Sequence, residues 1–212
     1  LLPGLKDAVV WQYAGCVENH LLIRHMRQKL GTRVLIEVDD NYAHWFPDHM
    51  KAAGWYRSVE DNPRTGFSVE RHLEIVREAD GVTVTTDYLA KQYRPYNPNV
   101  FVCPNQIDPA DWPEPVKPDD GVFRIGWFAS RSHRADMGLI ARGLEWASRQ
   151  PDVEVVLVGA GVSADGKPWY PFRFKFVPWS NDFGVYRKAL AELDVGLAPV
   201  VGTPWAVCRS DL

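Results

Sequence analysis

The chain has 212 residues and a formal net charge of −3, with 46% apolar and 24% charged side chains, a composition ordinary for a folded globular protein. The mild acidity leaves no basic footprint for nucleic acid, and no apolar run approaches the ~18 residues of a membrane span. Three widely spaced cysteines (Cys16, Cys103, Cys208) without a CxxC pair predict reduced thiols in a cytoplasmic protein rather than a disulfide framework.

Residues 7–13 (DAVVWQY) read as a buried strand. Apolar residues at 22, 23, 26 and 30 predict a helix over 18–30, ended by Gly31. Residues 33–38 (RVLIEV) form a second strand, closing on Asp39 and Asp40. Residues 41–66, rich in Trp, Gly and Pro, look irregular. A helix capped by Ser68 runs to 79, a strand covers 82–85, a short helix 87–93 and a fourth strand 100–103.

Prolines 104, 109, 113, 115 and 118 make 104–120 an extended linker. The pattern then restarts, with a strand at 124–129, a helix at 136–150 and strands at 153–158 and 174–177. A helix at 186–192 and a strand at 195–199 follow. The strands are continuous apolar runs, not alternating ones, which predicts parallel sheets covered by helices on both faces. The expected organisation is α/β, in two units: 1–103, the linker 104–120, and 121–212. Ligands of such folds bind beyond the carboxyl ends of the strands. The first residue, Leu1, and an end falling just after a predicted strand point to a piece of a longer chain, cut at both ends.

The polar loop SRSHR lies between the strand RIGWFA and a helix. A helix start offers unpaired N–H groups and the positive end of its dipole, a ready anion site. Ser130 and Ser132 add hydroxyls, Arg131 and Arg134 add charge, and Gly126 allows close approach. A diphosphate suits this loop; capping by Ser132 with solvated arginines is the plainer alternative. The acidic pair at the end of EVDD could hold a metal, act as a base or grip sugar hydroxyls. Neighbouring residues of an extended chain point opposite ways, so Asp40 is preferred for the cleft and Asp39 for the loop. His133 could touch a phosphate or a reacting sugar, or simply cap the helix. VGAGVSA (158–164) matches G-x-G-x-x-A, but the Asp-Gly-Lys-Pro that follows predicts a turn where a dinucleotide fingerprint needs a helix.

Four segments together resemble a known family. RVLIEVDDNY, VFVCPNQID, RIGWFASRSHRADM and LAELDVGLAPVVGTPWAVCRSDL look like the corresponding stretches of GT-B glycosyltransferases of the family-four-like kind, found in bacteria and tailed phages. They span nearly the whole chain. The resemblance implies two Rossmann-like domains facing a cleft, both incomplete here. It implies sugar transfer from a nucleoside-diphosphate sugar to a glycan or other acceptor, with retention. It also implies no essential metal and no cofactor beyond the donor substrate. Carried over by position, Gly126, Ser130, Arg131, Ser132 and His133 would line the diphosphate and sugar, completed by Arg209 and Ser210. Phe176, Val177 and Pro178 would border the base. Asp40 would face the acceptor, and with His133 is a candidate catalytic residue.

The final segment departs from the family, with Trp205-Ala206 in place of Phe-Asn and Arg209 in place of Lys. Arg for Lys keeps the charge, but the Trp205-Ala206 departure and the absence of the expected glutamate before Leu212 motivate an alternative, a non-catalytic carbohydrate-binding or virion assembly protein with a transferase-like fold. A dinucleotide oxidoreductase is the third and weakest reading.

Overall fold

The computed structural model describes residues 8–12, 17–44, 68–112, 117–130, 133–202 and 206–208. The chain divides into two compact units, Leu1–Gln106 with Gly202–Leu212, and Ile107–Val201. The sequence pattern groups everything after 121 together. In the structure Ala206–Cys208 instead belongs to the first unit, because Cys208 is fully buried in that unit's core and its carbonyl accepts Thr86 Oγ1 at 3.2 Å.

In the first unit β1 (Ala8–Gln12), β2 (Arg33–Val38), β3 (Gly81–Val84) and β4 (Val100–Val102) form a parallel sheet in chain order. Helix α1 (Val17–Leu30) joins β1 to β2, α2 (Val69–Glu78) leads into β3, and α3 (Asp87–Tyr93) joins β3 to β4. Ser68 and Thr86 cap α2 and α3 by accepting the N–H groups of Arg71 and Leu89, each satisfying one orphan donor of its first turn. Gly31, at φ +65°, ends α1 in the left-handed region open to glycine.

Strands laid down in chain order, with right-handed crossovers, put all three helices on one face of the sheet. That face carries the core: Val34, Ile36, Val38, Val82 and Val84 against Ile23, Ile75 and Leu89. The other face shows Val10, 58% exposed, and Phe101, 54% exposed. Among the described residues this sheet is therefore helix-covered on one side, not on both as its apolar strands predict.

The second unit differs in one respect that matters. β5 (Phe123–Phe128), β6 (Val153–Val158), β7 (Lys175–Val177) and β8 (Val195–Leu197) make a parallel sheet in the order β7-β6-β5-β8. The chain builds outward from β5 to β7, then returns to lay β8 on the free side of β5. Right-handed crossovers then place α4 (Arg134–Ala147) and α5 (Phe183–Ala191) on opposite faces. The packing agrees. Trp127 and Leu157 pack with Met137 and Leu144 of α4, while Phe128, Val156 and Val158 pack with Leu190 and Leu193 at the end of α5.

Both helices start earlier than the apolar periodicity predicts, α4 by two residues and α5 by three. For α5 the cause is Asp182, whose carboxylate accepts Gly184 N–H at 2.8 Å and starts the helix ahead of its first periodic apolar residue.

Each unit also uses an aspartate to seat an incoming strand. Asp80, just before β3, donates its N–H to Val34 O at 2.9 Å and accepts Val34 N–H at 2.8 Å. Its other oxygen accepts the Arg27 guanidinium at 2.9 Å. Burial pushes the Asp80 carboxyl up, but Arg27 and the Val34 N–H outweigh it and hold the carboxyl below its ordinary value of 3.8. A carboxyl depressed in the folded state stabilises fully above the unfolded value and loses that contribution as pH falls through the folded one. Asp80→Ala should therefore cost about 1–2 kcal/mol at pH 7. In thermal melts the gap from wild type should narrow steadily below pH 4; a gap constant down to pH 2 would show that the carboxylate charge does not matter.

Candidate functional site

Where strand order reverses in an open parallel sheet, neighbouring loops diverge and leave a crevice at the carboxyl ends. In the second unit the reversal falls at β5. A pocket of about 640 Å³ opens at the carboxyl end of this sheet, within the range of small-ligand sites. Phe128, Ala129, Ser130 and His133 enter it from β5 and the loop beyond, and Gly159 from the end of β6. Pro178, Trp179, Ser180 and Asn181 follow β7, and Phe183, Val185 and Tyr186 come from the first turns of α5.

One wall is aromatic. Phe183 stacks on Tyr186 with centroids 5.5 Å apart, and Phe128 meets Tyr186 edge-on at 5.3 Å. Trp112 closes the group edge-on against Phe183 at 5.7 Å. Such pairs hold their rings in fixed geometry. Burial raises the Tyr186 hydroxyl above its ordinary value, so it stays a neutral hydrogen-bonding group at physiological pH. The floor needs Gly159, at φ +80°: a Cβ there would lie 2.6 Å from Ala129 O and 3.0 Å from Trp179 Cε3.

The polar side is built around His133, the residue preceding α4. Its backbone N–H donates to Ser130 O at 3.1 Å. Its Nδ1 lies 2.8 Å from Asp136 Oδ2. Asp136 is 2% exposed, and its other oxygen accepts the Val201 N–H at 2.9 Å. One buried carboxylate thus joins the segment after β8 to the pocket histidine after β5. The N-terminus of α4 adds its dipole on the same side.

The residues singled out from the sequence fall in different places. Ser130, His133 and Pro178 line the pocket. Gly126 lies mid-strand, where a Cβ would sit 2.2 Å from Leu193 Cδ1, so its smallness serves strand–helix packing. Phe176 and Val177 turn to the two opposite faces of the sheet and pack in separate cores. Arg131, Ser132, Arg209 and Ser210 lie outside the described residues.

Asp40 belongs to the first unit, at the carboxyl end of β2. Its carbonyl accepts Tyr93 OH at 3.4 Å, and Tyr93 OH lies 2.9 Å from Nε2 of the buried His72. Burial pushes His72 down to about 3, so it stays a neutral member of this network. Tyr42 OH donates to Asp39 Oδ1 at 3.5 Å. Burial, with a smaller contribution from the Asp40 charge, pushes the Cys208 thiol up to about 11.

Asp136, Trp179, Phe183 and Tyr186 were not singled out from the sequence. The signal for Asp136 was its position three residues after His133, one helical turn on. In the aromatic wall the same spacing joins Phe183 to Tyr186 on α5, but nothing in the sequence brings Phe128 and Trp112 to them.

VGAGVSA closes as a turn. Gly161 sits at φ +127°, Val162 bridges Pro168 antiparallel, and Ser163 N–H reaches Lys167 O at 2.8 Å. No helix opens behind it, so it lacks the geometry of a dinucleotide fingerprint. Among the described residues no three His, Cys, Asp or Glu side chains converge as metal ligands do, and no helix is long and apolar enough to cross a membrane.

Fold and site together define an α/β protein with two parallel four-stranded sheets, the second wound on both faces and carrying a partly aromatic pocket at its carboxyl end. Compared with protein-family models and with curated proteins, the chain finds no match.

The Gly126 contact is directly testable. Gly126→Ala should destabilise the chain by about 1–3 kcal/mol through overpacking, and should cost less in a Leu193→Ala background, read as a double-mutant cycle in thermal melts. An additive double variant would show that the added methyl is not accommodated through Leu193.

Proposed function

We propose that this chain is the core of a GT-B glycosyltransferase that moves a sugar from a nucleoside-diphosphate sugar to an acceptor, with retention and without a metal. The observation that carries the reading is the pocket at the carboxyl end of the second sheet, with His133, Ser130 and the start of α4 on one side and aromatic rings on the other. It joins an anion-attracting edge to a surface suited to a flat or ring-shaped group. The departing diphosphate would lie at the α4 side, where oriented N–H groups and His133 stabilise developing charge. Arg131, next to Ser130 in the chain, would add charge there. Asp40, at the carboxyl end of the first sheet, would serve the acceptor.

A second reading has its own observation. Trp179 lines the pocket yet is 64% exposed, a disposition that suits stacking on a sugar in a non-catalytic carbohydrate-binding protein.

Thermal shifts with UDP, GDP, ADP and dTDP, with and without Mg²⁺, separate the two. A nucleotide at 100 times its Kd adds about 2.7 kcal/mol of stability. The transferase reading expects stabilisation by one nucleotide, unchanged by Mg²⁺, and roughly tenfold weaker binding in Trp179→Ala. Silence with all four nucleotides, together with a shift by oligosaccharide alone, would replace it with the carbohydrate-binding reading.

A further inference from the structure

Asp136 belongs to the pocket without lining it. It is buried to 2% exposure, and its two oxygens are divided between Val201 N–H at 2.9 Å and His133 Nδ1 at 2.8 Å. A carboxylate can only accept hydrogen bonds. The nitrogen it faces must therefore carry the proton, and His133 itself lines the pocket. The backbone bond to Val201 fixes where the carboxylate sits, and the carboxylate in turn fixes the ring. This is the arrangement by which a second group sets the tautomer and orientation of a working histidine.

We propose that Asp136 is a positioning residue for the pocket: it holds the His133 proton at Nδ1 and turns the Nε2 edge toward the ligand. Asp136 touches no ligand itself and acts through His133. The tautomer stands independently of any ligand identity; its consequence for phosphate binding rests on the donor-site reading above.

Asp136→Asn is the informative variant because it keeps shape and removes charge. Its amide oxygen stays on Val201 N–H, so its NH2 group is left to face Nδ1. A donor there requires an unprotonated Nδ1, and the ring proton must move to Nε2. ¹⁵N NMR of histidine-labelled wild type, with His133→Ala to assign the signal, should show His133 protonated at Nδ1. Asp136→Asn should show it protonated at Nε2. A wild-type ring protonated only at Nε2, or the same tautomer in both proteins, would overturn the proposal. The wild-type spectrum decides even if the variant does not fold.

The second readout is a double-mutant cycle of affinity for UDP, GDP, ADP and dTDP. A diphosphate takes a hydrogen bond from Nε2 only when the ring holds a second proton there, a form that the Asp136 charge supports. Asp136→Asn leaves only a neutral Nε2–H donor and predicts roughly tenfold weaker nucleotide binding, with no added loss when His133→Ala is already present. Equal losses in both backgrounds would make Asp136 a purely structural residue. Binding of none of the four to wild type, with the expected tautomers, would count against the donor-site reading while supporting the role of Asp136.

Discussion

A strand joining a parallel sheet has no hairpin to set its register, since its partner lies a whole crossover away in sequence. In both units the register is set by an aspartate placed one residue ahead of the incoming strand. Asp80 grips Val34 through its own N–H and its carboxylate, and Asp194 grips Arg124 in the same way, at 2.9 and 2.8 Å. The first bracket opens β3 against β2 with Gly81 opposite Leu35. The second opens β8 against β5 with Val195 opposite Ile125. A one-residue slip would turn every side chain of the strand to the wrong face, so these two contacts decide which residues become core.

The second bracket also ties β8 to β5, which carries α5 across the face opposite α4. The pocket is lined from the ends of β5 and β6, the loop after β7 and the first turns of α5. The two ends of β5 then take different work. At the amino end Arg124, 8% exposed, is held by Asp120, Glu154 and the Val122 carbonyl. Asp120 is drawn down to about 2 by that guanidinium and the Val122 N–H. These charges satisfy one another and leave nothing for a ligand. At the carboxyl end Ser130 and His133 line the pocket instead. Parallel alignment makes this division possible, because every strand of the sheet points its carboxyl end the same way.

Much of the fold was legible in the sequence because its strands are continuous apolar runs with turn residues between them. The run VEVVLV reads as a buried strand, and Gly31 as a helix end, as the structure has them. The helix starts were less legible: Asp182 caps α5 from ahead of any apolar repeat, and Gly184 in its first turn dilutes the signal. Sheet order was not legible, since no local pattern states that β8 returns to β5. The site divided along the same line. Of SRSHR, Ser130 and His133 line the pocket; the helix start behind the loop was the signal, because its first N–H groups have no partner within the helix. Gly126 looked like an opening for a ligand and instead accommodates Leu193. A glycine in a strand marks close approach, but the sequence does not say of what.

Three aspartates in the structure share one geometry. Asp80, Asp194 and Asp136 each place one oxygen on a backbone N–H and turn the other to a nitrogen-bearing side chain: Arg27, Lys117 and His133 respectively. The device is a structural clamp in the first two. Arginine and lysine side chains only donate hydrogen bonds, and both lie at the amino ends of their sheets. The third clamp has a partner of another kind. Histidine changes charge near neutral pH and has a second nitrogen to offer, and His133 lines a pocket at the carboxyl end. The same local chemistry thus becomes a feature of the site through two changes, the identity of the side-chain partner and the end of the sheet on which it falls.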